Sequence, residues 1–190
     1  EMLRSLVGSE MCIRDRYNVL PLDDRGTERL VPELAGRPTL IKGDRQMFFT
    51  GMGRLSENVV LSTKNKSWGL ETVVNVTDAN ATGVIMAQGG KFGGWAVYLN
   101  QGILHYVYHT LGIHYYVTSA TESVNVGEHR LQFRFDYDGG GLGKGGDVTL
   151  LVDDEVAGTG RVEITHPMIW SADETANIGR DAGTPVGSYS

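Results

Sequence analysis

The sequence predicts an all-β protein, an antiparallel β-sandwich preceded by an irregular N-terminal arm. Three observations support this prediction: apolar residues recur at every second position in several segments, turn signals separate those segments, and helical periodicity is almost absent. Many short strands joined by tight turns are typical of two packed antiparallel sheets, and not of helical or alternating α/β proteins.

The clearest strand is RLQFRFDY, residues 130–137. Its apolar face consists of Leu131, Phe133, Phe135 and Tyr137, and its polar face of Arg130, Gln132, Arg134 and Asp136. Strict alternation of this kind predicts a strand with one face in a core and the other in solvent. Less regular runs of the same type occur at residues 70–76, 84–87, 95–99, 103–109, 114–118 and 148–152.

Turn signals lie between these runs. They are Asn100-Gln101-Gly102, Asp153-Asp154 and the glycine-rich DGGGLGKGG of residues 138–146. The glycine-rich segment lacks the residue order of a phosphate-binding loop and leads into a strand instead of a helix. It therefore predicts a hairpin connection in which glycine supplies positive φ.

The first part of the chain differs from the rest. Residues 18–38 mix prolines with charged residues, and the only helical pattern, at 27–34, is interrupted by Pro32. We therefore divide the sequence into residues 1–16, an arm or linker at 17–45 and the sandwich at 46–190. The apolar cluster Val19, Leu20 and Leu22 indicates that the arm lies against another surface, since exposed apolar clusters usually mark contacts.

Composition excludes several functions. The net charge is −6 and no cluster of basic residues occurs, so neither nucleic acid nor an anionic membrane surface is expected as a partner. No apolar run approaches the ~20 residues that cross a bilayer. Cys12 is the only cysteine, so no disulfide can form within one chain.

Metal ligands are the first chemical candidates. His105 and His109 share strand parity but lie roughly 13 Å apart along an extended chain, and His114 would have to return on the next strand. Acidic residues near turns could bind calcium through carboxylate oxygens. These are Asp136, Asp138, Asp153, Asp154, Asp173, Glu174 and Asp181. Neither set has the spacing of a defined metal motif, so solvated histidines and acidic turns remain the simpler interpretation.

Aromatic residues could instead bind sugar. The candidates for a stacking platform are Trp68, Trp95, Tyr98, Tyr106, Tyr108, Tyr115 and Tyr116. Packing is the alternative, because aromatic residues favour strands and bury large areas. We expect most of them in the core.

Five separated blocks are similar to the C-terminal region of large bacterial arylsulfatases, in the order of that family. The blocks are YNVLPLDDR (17–25), GMGRL with Glu57-Asn58 (51–58), AQGGKFGGWAVYLNQGILHYVYH (87–109), FDYDGGGLGKGG (135–146) and SADETANIGRDAGTPV (171–186). The resemblance covers essentially all of residues 17–190. It implies a concanavalin A-like or laminin-G-like jelly roll that follows a catalytic domain with an alkaline-phosphatase-like fold.

The resemblance also implies that catalysis belongs to another domain of the parent enzyme. The parent enzyme would hydrolyse sulfate esters with formylglycine and calcium, both held by a catalytic domain absent from this sequence. No catalytic, cofactor-binding or metal residue of the family falls within residues 17–190, so we expect this fragment to be inactive. Its partner would be that catalytic domain, in a bacterial cytoplasm or periplasm. The expected interface residues are Val19, Leu20, Pro21, Leu22, Asp23, Asp24 and Arg25.

Residues 6–16, LVGSEMCIRDR, resemble a translated sequencing adapter, so we expect residues 1–16 to be non-native and dispensable. Within them, Cys12 to Arg16 superficially resembles the sulfatase nucleophile motif Cys/Ser-x-Pro-Ser-Arg. Arg14 and Asp15 replace its proline and serine, and a motif needs its structural context to carry chemistry. We therefore assign Cys12 no catalytic role.

Two functional hypotheses follow. The first is a structural accessory domain that packs on or supports the sulfatase catalytic domain. The second is a lectin-like, carbohydrate-binding module that directs the parent to sulfated glycans. An apolar patch shared by the arm and a sheet would favour the first hypothesis, and an exposed aromatic strip would favour the second.

Overall fold

The structure is a computed structural model that describes residues 26, 30, 31, 33–36, 40–170 and 173–189. Within these residues it contains two antiparallel sheets and no α-helix, which confirms the all-β sandwich. One 3-10 helix spans Glu57–Val59. The strands are β1 (Trp68–Val76), β2 (Gly83–Gly90), β3 (Gly93–Asn100), β4 (Ile103–Thr110), β5 (His114–Ser123), β6 (Gly127–Tyr137), β7 (Gly146–Val152), β8 (Glu155–Val162) and β9 (Ala176–Ile178).

Each sheet is built from two separate parts of the chain. One sheet has the strand order β1-β6-β7-β8 and the other β5-β4-β3-β2-β9. Consecutive hairpins build β2 to β5 and β6 to β8, while β1 joins the edge at β6 and β9 joins the edge at β2. The four edge strands are therefore β1 and β8 in one sheet, and β5 and β9 in the other.

The predicted strands are present, and two more were not predicted. Every run identified by its period lies within a strand, and the glycine-rich segment 138–146 connects β6 to β7, with positive φ at Gly139, Gly140, Gly141 and Gly143. The additional strands are β8, whose sequence EVAGTGRV lacks alternation, and β9, which has three residues. The first strand begins at Trp68, so the segment 46–67 adds no strand to the sandwich.

The core lies between the two sheets. Its largest fully buried side chains include Trp95, Tyr106 and Phe133, and the rings of Tyr106 and Phe133 meet across the sandwich at 4.1 Å between centroids. The alternation predicted for β6 is confirmed with one exception. Gln132 is on the outer face but is buried, and its Nε2 donates to Glu71 Oε2 at 3.0 Å.

One side of the sandwich is closed by direct contact between β5 and β8. A Cβ added at Gly158 would lie 2.4 Å from the carbonyl oxygen of Ser119, and one added at Gly160 would lie 2.2 Å from Oγ1 of Thr118. Thr121 Oγ1 also donates to Ala157 O at 3.2 Å. The lack of a side chain at these two glycines therefore lets β8 approach β5 closely at this edge.

The opposite side, between β1 and β9, is covered by irregular chain instead. Gln46 holds this cover in place, because its Nε2 donates to Val59 O at 2.8 Å and its Oε1 accepts from Leu61 N at 2.9 Å. An isolated bridge joins Leu55 to Ala176 on β9. The segment 40–63 thus lies along the open side without adding a strand to either sheet.

Candidate functional site

A long groove lies at the open side of the sandwich, and we call it the open-edge groove. Its volume is about 1740 Å³. One wall is β1, and the other is formed by β2 and β9 together with Ile169, Trp170 and Glu174. The segments 41–48 and 56–63 line its length. Its apolar lining includes Phe48, Trp68, Leu70, Ile85, Met86, Trp95, Trp170 and Ile178.

The described pieces of the arm reach one end of this groove. Ile169 N donates to Leu30 O at 3.1 Å, and Lys66 Nζ lies 3.5 Å from Glu33 Oε1. Val31 is buried, although Leu30, Glu33 and Leu34 are exposed. The described pieces of the arm therefore make a backbone contact and an ionic contact with residues that line the groove.

A buried ion pair closes the same end. Lys64, whose side chain is 4% exposed, pairs with Oε1 of Glu57, and its Nζ lies 4.6 Å from the ring centroid of Trp170. Glu57 Oε2 also accepts from Trp170 N at 2.7 Å. One carboxylate thus joins the segment 57–64 to residue 170, and the lysine is satisfied by a carboxylate and an aromatic face.

A histidine and a tyrosine extend this cluster towards the core. The ring of His166 stacks on Trp170 at 4.9 Å, and its Nε2 lies 3.0 Å from Ile169 O. Tyr108 Oη accepts from His166 N at 2.8 Å. Together these contacts fix the segment 163–170 across the end of the two sheets.

Burial shifts the pKa of the ionisable groups in this cluster. Desolvation lowers the pKa of Lys64, against the opposing attraction of Glu57, and desolvation also lowers the pKa of His166. Desolvation raises the pKa of Tyr108, since a buried phenolate would lack hydration. Because Lys64 is enclosed by protein, we assign the cluster an anchoring role and no contact with substrate.

The sequence did not identify this cluster. Glu57 and Trp170 are 113 positions apart in the chain, and no local motif connects them. A lysine followed by Asn-Lys-Ser-Trp looks solvent-exposed in sequence. Only the path of the two irregular segments brings these residues together.

The interface residues expected from the sequence lie outside the described residues. They are Val19, Leu20, Pro21, Leu22, Asp23, Asp24 and Arg25. The same holds for Cys12 and the adapter-like segment. Their roles remain predictions, and the arm contacts described above begin further along the chain, at Leu30.

The histidine candidates do not form a metal site. His105 and His109 lie on the outer face of β4, where His105 Nδ1 is 2.8 Å from Ser119 Oγ and the His109 ring packs edge-on against Tyr115. His114 begins β5 and is exposed. Desolvation lowers the pKa of both His105 and His109. Across the described part of the chain, no three His, Cys, Asp or Glu residues are grouped to hold a metal ion.

Most of the acidic candidates already have protein partners. Asp138 pairs with Arg161 at 2.6 Å, and Asp154 pairs with Arg130 at 3.2 Å. Asp153 lies 2.7 Å from His129 Nδ1. Glu174 accepts from Thr184, and Asp181 accepts from Val186 N. Asp136 and Asp173 are exposed.

The aromatic residues are mainly part of the core. Trp95, Tyr98, Tyr106 and Tyr108 are buried, while Trp68 and Tyr116 are half-buried. Tyr115 alone among the seven candidates is exposed, at 45%. The seven residues therefore do not form an exposed aromatic strip, and the expectation that most of them pack in the interior is confirmed.

Comparison with known proteins gives a similarity of fold only. No protein-family model matches the chain, and no curated protein matches it. Among solved structures, the chain is similar to domains LG4-5 of the mouse laminin α1 chain, with a TM-score of 0.45 and 13% sequence identity. The match covers 68% of this chain and 31% of that chain. None of the described helices has the length and apolar character needed to cross a membrane.

Proposed function

We propose that this chain is a non-catalytic β-sandwich domain of an arylsulfatase, and that it packs on the catalytic domain through its arm and the open-edge groove. One observation carries the proposal. The open-edge groove is lined by large apolar side chains such as Trp68 and Trp170, and the arm contacts its end through Leu30 O and Glu33. The arm and the groove therefore lie on the same side of the sandwich.

The size of the groove favours a protein partner. Pockets for small molecules usually have volumes of about 300–1,000 Å³, whereas this groove has about 1740 Å³. Exposed apolar residues stand along the segment that lines it, with Met47 76% and Phe49 64% exposed. Burying such side chains contributes roughly 25 cal/mol per Å² of apolar surface, so association with another domain would stabilise this side.

The arylsulfatase parent is supported by the five sequence blocks. In this proposal the formylglycine nucleophile and calcium belong to the catalytic domain, and the sandwich supplies surface only. The fragment should therefore not hydrolyse aryl sulfates. Turnover of an aryl sulfate above the buffer rate, abolished by Cys12→Ala, would contradict the proposal.

The direct test is association of the two pieces. A catalytic domain, expressed separately from an arylsulfatase whose C-terminal region matches this sequence, should bind this chain in calorimetry. Changing Leu20 and Leu22 to serine should weaken binding at least tenfold, because both apolar anchors of the arm are lost. Val126→Ser is the matched control, since Val126 is 61% exposed in the turn between β5 and β6. No association at high micromolar concentration, with full-length stability unchanged by the arm substitutions, would refute the proposal.

Glycan binding is the second candidate function, and exposed Tyr115 is the observation that favours it. A glycan array with sulfated and unsulfated sugars tests this directly. We expect no binding of micromolar affinity, since the other aromatic candidates are buried or half-buried. Micromolar binding that is lost in Tyr115→Ala would place the lectin-like module first.

A further inference from the structure

A second surface lies on the outer face of the five-stranded sheet, away from the open-edge groove. Here small residues form the floor of a shallow trough: Ala87 and Ala96 are fully buried, beside Gly94 and Val107. The trough is filled by residues 181–189 of the same chain, which we call the strap. The strap belongs to neither sheet.

Two apolar side chains anchor the strap. Val186 is 2% exposed and lies over Gly94, where an added Cβ would come within 2.9 Å of Val186 Cγ2. Three residues further on, the ring of Tyr189 packs against Tyr98 with 4.7 Å between centroids. The missing side chain at Gly94 thus gives Val186 its place, and Tyr98 forms the wall against which Tyr189 lies.

Hydrogen bonds fix the direction of the strap. Ser188 N donates to Tyr115 Oη at 3.1 Å, and Lys91 N donates to Thr184 Oγ1 at 2.9 Å. Within the strap, Val186 N donates to Asp181 Oδ2 at 3.1 Å, and the Tyr189 hydroxyl donates to the same oxygen. Two hydrogen bonds thus hold the strap on the sheet, and two set its own conformation.

The strap is also separable from the sheet. Among the described residues, no backbone-to-backbone hydrogen bond joins 181–189 to a strand, and the last such bond is from Gly179 N to Ile85 O at 2.9 Å. Gly179 has a φ of 74° and open space around its Cα. Detaching the strap would break side-chain contacts but no strand pairing, and Gly179 offers a hinge.

We propose that the trough is a recognition site for an extended peptide with the chemistry of the strap, and that its occupant in trans is the strap of a second copy of this chain. The contacts of Val186 and Tyr189 define the motif: a small β-branched residue over Gly94, then a tyrosine three positions later against Tyr98. Exchange of an identical element between two copies keeps every contact and needs only a hinge. This inference is independent of the proposed arylsulfatase parent.

The strap of the same chain competes with any incoming strap. A segment tethered by a short linker has an effective concentration on the order of millimolar, so a free peptide should bind the wild-type protein only weakly. Weakening the chain's own strap should therefore strengthen binding of a free peptide. A surface without a peptide site would show the opposite or no change.

The experiment uses a fluorescein-labelled peptide of residues 180–190 and fluorescence anisotropy. The full-length Val186→Asp protein should bind the wild-type peptide at least tenfold more tightly than the wild-type protein does, because its own strap cannot bury a carboxylate at Gly94. The same peptide carrying the Val186→Asp change is the matched control and should bind neither protein. Full-length Tyr189→Ala should give a smaller gain in affinity, since it removes only the anchor at the rim.

Near-UV circular dichroism checks that each protein is folded. The proposal is overturned if folded Val186→Asp and Tyr189→Ala proteins bind the wild-type peptide no better than the wild-type protein does. If Val186→Asp fails to fold, Tyr189→Ala alone decides. Sedimentation velocity tests the second copy: the wild-type protein should form a dimer at high concentration, and that dimer should dissociate on addition of excess unlabelled peptide. A protein that stays monomeric, or a dimer that persists, would contradict strap exchange.

Discussion

The two sides of the sandwich differ in how the gap between the two sheets is covered. At the closed side, Gly158 of β8 packs against the backbone of β5 and Gly160 packs against the side chain of Thr118. At the open side, Trp68 of β1 and Ile178 of β9 face a groove, and irregular chain from residues 40–63 covers it only in part. Small residues let two sheet edges meet, whereas the edges that carry large apolar residues stay apart and leave an open groove between them.

On one side the strands themselves close the sandwich, and on the other side segments outside the strands cover it. The closed side is complete within β5 and β8. The open side depends on side-chain anchors such as Gln46 and Glu57, and the only strand pairing of the segment 40–63 among the described residues is the isolated bridge of Leu55 to β9. We therefore expect substitutions at the closed side to change the folding of the sandwich itself, and substitutions at the open side to change its contacts.

The largest effect is expected at the closed side. Gly158→Val should lower the free energy of unfolding by about 3 kcal/mol, because overpacked substitutions force backbone shifts and the new Cβ would lie 2.4 Å from Ser119 O. Gly83→Val is the matched control on β2, where nothing lies within 4 Å of the added Cβ. Urea unfolding of both variants measures the difference. Equal effects would show that close approach at β5 and β8 does not stabilise the sandwich.

A smaller loss is expected at the anchor of the open side. Lys64→Met should cost about 2 kcal/mol, below the 3–5 kcal/mol of a fully buried pair, since the Glu57 side chain is 21% exposed. Lys66→Met should change stability by at most about 0.5 kcal/mol, because exposed ion pairs contribute little and Lys66 is 49% exposed. If both substitutions have the same effect in urea unfolding, the buried pair does not anchor the segment 57–64.

The smallest effect concerns pH. Burial holds the pKa of folded His166 below its ordinary value of 6.5, so the unfolded chain takes up a proton first as pH falls. Stability should therefore decline as pH falls through 6.5 towards the lower folded pKa. His166→Phe, which keeps the stacking on Trp170, should make this decline shallower without removing it, since His105 and His109 contribute in the same direction.

Urea unfolding of wild type and His166→Phe at pH 7.5 and 5.5 checks this prediction. His114→Phe is a suitable control, because His114 is exposed at the start of β5. An identical pH dependence in wild type and His166→Phe would mean that His166 is not buried in its neutral form.

The sequence predicted the sheets better than the site. Alternation places Leu131, Phe133 and Phe135 in the core because a strand turns every second side chain to the same face, and the structure agrees. Alternation did not reveal β8. The glycines of β8 are needed for its close contact with β5, and a local pattern carries no signal of a contact between distant segments. The Lys64 and Trp170 cluster was missed for the same reason, since two irregular segments create it and local periodicity carries no signal for them.

Hydrogen exchange of the complex tests the central claim most directly. The claim is that the catalytic domain binds the open side and makes no contact with the closed side, where β5 and β8 pack against each other. On adding a separately expressed arylsulfatase catalytic domain, amide protection should rise in β1, β9 and residues 40–63 and stay unchanged in β5 and β8. Protection that rises in β5 and β8 instead, or in no segment while the catalytic domain is bound, would contradict the account.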